Sequence, residues 1–150
     1  MTLDRALARS VKKKYDNEKI VQAPVRTDGR PEHLVLGEKG EQTAAKYLSD
    51  SGYLLIDKNV RYKCGEIDLV ARDKDEIVFV EVRTRTLGKV LPADRSVGPN
   101  KLKKLILAAR CWTEGCHYDG FWRVDLIAIT LTAEGRTEIE HIKNITEGIL

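Results

Sequence analysis

The sequence predicts an α/β domain, and three observations carry that reading. Residues Gly65 to Arg85 spell two strands around a short charged turn, Asp73-Lys74-Asp75. The second of them holds Ile77, Val78, Phe79 and Val80, apolar on both faces as in the middle of a sheet. Leu34–Asp50 and Pro99–Thr113 carry apolar residues at helical spacing, one stretch before those strands and one after. Phe121–Leu131 is a further strand with no side left for water. With Tyr53–Tyr62 as the first strand, the predicted order is helix, three strands, helix, strand, and Glu138–Ile142 closes it as an edge strand.

Taken in order, the chain begins with Leu3, Leu7, Val11 and Tyr15 at four-residue spacing, enough for one amphipathic segment before Pro24, Gly29 and Pro31 interrupt it. Residues 1–33 are therefore read as a basic extension, flexible or partly helical, and 34–150 as the folded domain. In the first helix Ala44, Ala45 and Leu48 form the inward stripe, and Gly52 stands where a helix stops. Glu41 lies on the same stripe. A helical glutamate often serves only the helix dipole, and it is the acids on the strands that make this one a site candidate. Lys63-Cys64-Gly65 turns the first strand into the central hairpin. After Arg85 a loop with Gly88, Pro92 and Gly98 leads to Pro99, which suits the first turn of a helix. That helix turns Leu102, Leu105, Ile106, Ala109 and Trp112 inward and Lys101, Lys104 and Arg110 outward, and Gly115 ends it. On the long strand that follows, Asp125 beside Arg123 reads as a buried ion bridge before it reads as catalysis.

The hairpin contains acids where core is expected. At period two, Ile77, Phe79, Glu81 and Arg83 share one face of the second strand, and Glu66, Asp68 and Val70 share one face of the first. Pairing around the turn brings Asp68 close to Glu81. Two carboxylates on adjacent buried strands repel each other and lose hydration, so they need a cation or a shared proton; a divalent metal is the leading candidate.

The longest apolar runs are strand-sized, too short to cross a membrane, and the first residues lack the apolar segment of a secretory signal. Three cysteines without framework spacing fit a reducing compartment, and the expectation is a cytoplasmic protein without a disulfide. Cys111, Cys116 and His117 lack the second ligand pair that a zinc site needs. The net charge is +3, and the run Arg83, Arg85, Lys89, Arg95, Lys101, Lys103 and Lys104 faces only Asp94. Cations able to hold a polyanion beside carboxylates able to hold a metal point to phosphodiester chemistry, and a solvated basic surface is the plain alternative.

Gly37-Glu38-Lys39-Gly40-Glu41, Gly65-Glu66-Ile67-Asp68, Phe79-Val80-Glu81-Val82-Arg83 and Arg123-Val124-Asp125, in this order, resemble the YraN-like family of uncharacterised bacterial proteins. That family resembles a branch of the restriction-endonuclease-like PD-(D/E)xK superfamily, near the archaeal Holliday junction resolvases. The resemblance covers Leu34 to Ile142. It implies an αβββαβ core with a mixed central sheet flanked by helices, Asp68 and Glu81 as metal ligands with the Val82 carbonyl, and Glu41 completing the site. The implied metal is Mg²⁺ or Mn²⁺, which oxygen ligands favour over zinc. The implied partner is DNA, branched DNA above all, and a homodimer suits a symmetric junction; the basic run supplies Arg85, Lys101 and Lys104 as the expected phosphate contacts, and no membrane is expected. One position departs from the pattern: Arg83 stands where the superfamily has lysine. Arginine keeps its proton, so Arg83 is expected to clamp a phosphate, while metal-activated water attacks and Glu41 takes the proton. A non-catalytic nucleic-acid-binding or adaptor module is the rival expectation, and a protein-interaction role for residues 1–33 a third.

Overall fold

The computed structural model describes residues 32–86 and 97–149; the basic extension through residue 31, and Lys89 and Arg95 of the basic run, lie outside the described residues. Among the described residues seven elements follow one another: α1 (Glu32–Asp50), β1 (Leu54–Tyr62), β2 (Gly65–Asp73), β3 (Glu76–Thr86), α2 (Pro99–Gly115), β4 (Trp122–Leu131) and β5 (Thr137–Ile142). The α/β order read from the sequence is the order observed. One mixed sheet takes the strands in the sequence β1-β2-β3-β4-β5. Only β3 and β4 are parallel, and α2 supplies the crossover that a parallel pair requires. No helix among the described residues is long and apolar enough to cross a membrane.

The two helices cover opposite faces. Ala44 and Leu48 of α1 pack on Leu69, Ala71, Val78, Val80, Ile127 and Ile129. On the other face Leu105, Ala108, Ala109 and Trp112 of α2 pack on Val60, Ile67, Val70, Ile77, Phe79 and Val124. Phe79 meets Trp112 and Trp122 edge-on, with ring centroids 5.5 Å apart in both pairs, and its burial is worth about 2–3 kcal/mol. The stripe of α2 is therefore 105, 108, 109 and 112. Leu102 and Ile106, expected inward, flank it half-buried, because the deep placement of Trp112 turns the small Ala108–Ala109 pair onto the sheet. At its other contact the sheet is approached still more closely. A Cβ added to Gly40 would stand 1.7 Å from Thr84 Oγ1, so only glycine lets α1 cross β3 at the position next to Glu41.

Arg123 and Asp125 form the ion bridge that the sequence suggested, within a larger hub. Fully buried Asp125 accepts from Arg123 Nε at 2.9 Å and the Asn144 N–H at 2.9 Å, and its Oδ2 lies 2.8 Å from His141 Nε2. Arg123 also donates to Asp73 at 3.0 Å, to Tyr53 Oη at 3.3 Å and to Glu76. Burial acts to raise the Asp125 pKa, but the bonds from His141 and Arg123 outweigh it and hold the carboxyl below its usual range.

Candidate functional site

The site is built where the ladders around β2 fail. Pairing of β2 with β3 ends at Leu69↔Val80, one step short of Asp68 and Glu81. Across β1, Lys58↔Leu69 and Val60↔Ile67 are paired, which leaves Asn59 opposite Asp68, and Asn59 is in the left-handed region at φ 50°. Asparagine tolerates that conformation better than most side chains. Ile67 packs with the α2-side core and Leu69 with the α1-side core, although strict alternation would put both on one face. The chain thus turns over at Asp68. The expectation that Glu66, Asp68 and Val70 share a face is corrected accordingly: Asp68 instead points along the sheet, and its Oδ2 accepts the Val82 N–H at 2.7 Å in place of a ladder bond.

Glu81 projects from β3 beneath the start of α2 and is 6% exposed. Its Oε1 lies 3.5 Å from Lys101 Nζ, while its buried Oε2 receives no hydrogen bond among the described residues. Burial first, and the Asp68 charge second, push the Glu81 pKa up to about 7, against the opposing pull of Lys101. Asp68 is likewise raised by burial, a shift that the Val82 N–H offsets in part. Glu41 is raised by its own burial and then by Asp68, and accepts a hydrogen bond from the Asn59 side chain. It reaches Asp68 from the α1 face, whereas Glu81 stands on the α2 face. The structure therefore brings Asp68 and Glu81 together, with Glu41 close enough to Asp68 to feel its charge.

Among the described residues no group of three His, Cys, Asp or Glu side chains is arranged to hold a metal. The pair still fits a hard divalent cation, which commonly uses one or two carboxylates and keeps several waters. Glu81 and Asp68 are close enough to share a hydrogen bond when one of them is protonated, and a cation would take the place of that proton. Val82, whose N–H faces the edge that β2 vacates, turns its carbonyl the same way, because both groups of an extended residue project to one side.

Lys101 was expected to face outward; it is instead half-buried, tied to Glu81 and, at 3.6 Å, to Glu66 Oε1, because the first turn of α2 overhangs the two acids. Arg83 lies two residues beyond Glu81 on the same face, half-buried, and its charge opposes the rise in the Glu81 pKa. Arg85 is braced along the sheet by a 2.9 Å bond from its Nε to Thr130 Oγ1. Lys104 joins Lys101, Arg61, Tyr62, Lys63, Cys64, Gly65 and Glu66 in lining an open cleft of about 480 Å³.

A family model described as "Uncharacterised protein family UPF0102" matches residues 40–129. The chain belongs to the UPF0102 family. A UPF0102 protein of Geotalea uraniireducens is 40% identical over 124 residues, which cover 82% of this chain and 98% of the relative. One from Geobacter sulfurreducens is 42% identical over 122 residues, 80% of this chain and 94% of its own, and one from Pelobacter propionicus is 40% identical over 121 residues, 79% and 86%. The UPF0102 match takes in Glu41, Asp68, Glu81, Arg83 and Lys101, and ends before β5 and the His141 contact of the hub. Within this UPF0102 chain, Asn59, Arg61, Lys63 and Glu66 are the site neighbours that sequence reasoning passed over. The Asn59 signal was present, since a lone asparagine amid strand residues marks a break in the pleat.

Proposed function

We propose that this UPF0102 chain is a Mg²⁺- or Mn²⁺-dependent endonuclease of the restriction-endonuclease-like, PD-(D/E)xK type that hydrolyses DNA, with branched DNA as its preferred form. The observation that carries the reading is the Asp68–Glu81 pair: a half-buried and a buried carboxyl, both with raised pKa values, set at a ladder break beside Lys101 and Arg83. Such a pair destabilises the fold unless a cation or proton joins it, which is the mark of a binding site. Asp68, Glu81 and the Val82 carbonyl would hold the cation, which when bound supplies Lewis acidity to the scissile phosphate and to water. Arg83 clamps a non-bridging phosphate oxygen and stabilises the charge that grows on it. Glu41, with its raised pKa, accepts the proton released as water attacks. Arg85 and Lys104 neutralise neighbouring phosphates.

The test is nicking of a four-way DNA junction by purified protein with Mg²⁺ or Mn²⁺, compared with EDTA. Calorimetric Mn²⁺ affinity should fall about tenfold or more in Asp68→Asn and in Glu81→Gln; unchanged affinity in both removes the metal assignment. Arg83 at the lysine position favours the rival, a non-catalytic DNA-binding module, and kinetics separate the two. Under the nuclease reading Arg83→Lys keeps cleavage and Arg83→Ala loses about a hundredfold, or ~3 kcal/mol. Wild type and Arg83→Ala equally inert, both binding the junction, identify the rival, and cleavage that Arg83→Ala leaves intact refutes the clamp.

A further inference from the structure

We infer that the cleft between the β1–β2 turn and the start of α2 binds the phosphodiester backbone of a single nucleic-acid strand, gripping it between Arg61 and Lys63 on one wall and Lys101 and Lys104 on the other. The inference rests on the nucleic-acid part of the reading above and is independent of catalysis.

Among the described residues four cations and one acid line the cleft, so their field is positive. That acid, Glu66, sits between the walls, 3.8 Å from Arg61 Nε and 3.6 Å from Lys101 Nζ. Its carboxylate thus occupies the place of an anion and stands in for a phosphate. Lys101 and Lys104 are three residues apart on one helix and are neighbours on its surface, so they can serve successive phosphates. A volume of about 480 Å³ suits a nucleotide-sized ligand and is too small for a duplex. The walls are fixed to each other before anything binds: a Cβ on Gly65 would stand 2.5 Å from the Lys104 carbonyl oxygen, so the turn lies directly on the helix backbone. Behind them Cys64 Sγ touches Cys111 Sγ at 3.5 Å. A ligand therefore meets a preformed groove and little affinity is lost to ordering it. Because Lys101 belongs both to the cleft and to the surroundings of Glu81, a strand held there is delivered to the Asp68–Glu81 pair.

The test uses the full chain in EDTA, with binding of a fluorescein-labelled 12-nucleotide single-stranded DNA followed by anisotropy over a range of salt. Arg61→Ala/Lys63→Ala replaces two exposed side chains and leaves the core untouched, as circular dichroism will verify. It should reduce the slope of log K against log salt by about 1.4, two phosphate contacts at about 0.7 each, and weaken binding about tenfold at low salt. Lys39→Ala/Lys58→Ala, exposed lysines outside the cleft, should leave both unchanged, and Glu66→Gln should tighten binding several-fold by removing the internal competitor. An unaltered slope in the Arg61/Lys63 variant, no binding by wild type, or equally effective competition by polyglutamate overturns the assignment. An inert protein that holds the strand through these residues upholds the cleft and refutes the nuclease. An active nuclease indifferent to Arg61 and Lys63 does the reverse.

Discussion

Arg123→Met is expected to cost about 3–5 kcal/mol of folding stability, the penalty for leaving a buried charge without its partner. Arg123 is 11% exposed at its side chain and serves Asp125, Asp73 and Glu76 together, so methionine fills much of its volume but none of its bonding. Asp125, with no exposure at all, keeps only His141 and the Asn144 amide. Urea denaturation at pH 7 reads the loss directly. A change under about 1 kcal/mol would mean that the His141 and Asn144 contacts suffice for Asp125, and the hub would then be redundant rather than essential.

Glu81→Gln should have the opposite sign. A carboxyl whose folded pKa is raised favours the native state while protonated; its contribution is complete below the ordinary value of 4.5 and is lost as pH rises through about 7. Over that window the wild-type protein loses about 3 kcal/mol in the absence of metal, whereas glutamine, which never ionises, loses none. In EDTA the variant should therefore be more stable than wild type by about 3 kcal/mol at pH 8 and nearly equal to it at pH 4.5. Destabilisation at pH 8 would show that the Lys101 contact outweighs the repulsion from Asp68. Stability given up at neutral pH by Glu81, and recovered by its removal, is what a carboxylate retained for binding predicts.

Much of this architecture was legible because its elements obey simple periods. The helical stripe through Ala44 and Leu48, the doubly apolar run Ile77–Val80 and the strand around Ile127 each face one helix or both, and hydrophobicity alone specifies that. The closeness of Asp68 to Glu81 followed from the hairpin register. The inversion of the chain at Asp68 did not, because it depends on one asparagine adopting positive φ across the ladder. Lys101 was misplaced for a related reason. Helical periodicity assigns a residue to a flank, but whether a flanking lysine meets water or a buried acid depends on how far the helix overhangs its neighbour, a property of tertiary packing. The pairing of Arg61 and Lys63 with α2 was hidden for the same cause, since the turn that carries them is close to α2 only through Gly65.

The interruption at Asp68 also has a mechanical meaning. A continuous ladder resists shear between strands, but beyond Leu69↔Val80 the end of β2 is fastened to β3 by the Asp68–Val82 hydrogen bond and, through Gly65, is seated on the backbone of α2. The β1–β2 turn is therefore held to β1 by its ladder and to α2 by close contact, and meets β3 through Asp68. A shift of α2 relative to β3 would be felt at both acids, at Glu81 through Lys101 and at Asp68 through the strand end that Gly65 seats on the helix. The cleft and the acid pair are thus mechanically joined, with Lys101 common to both.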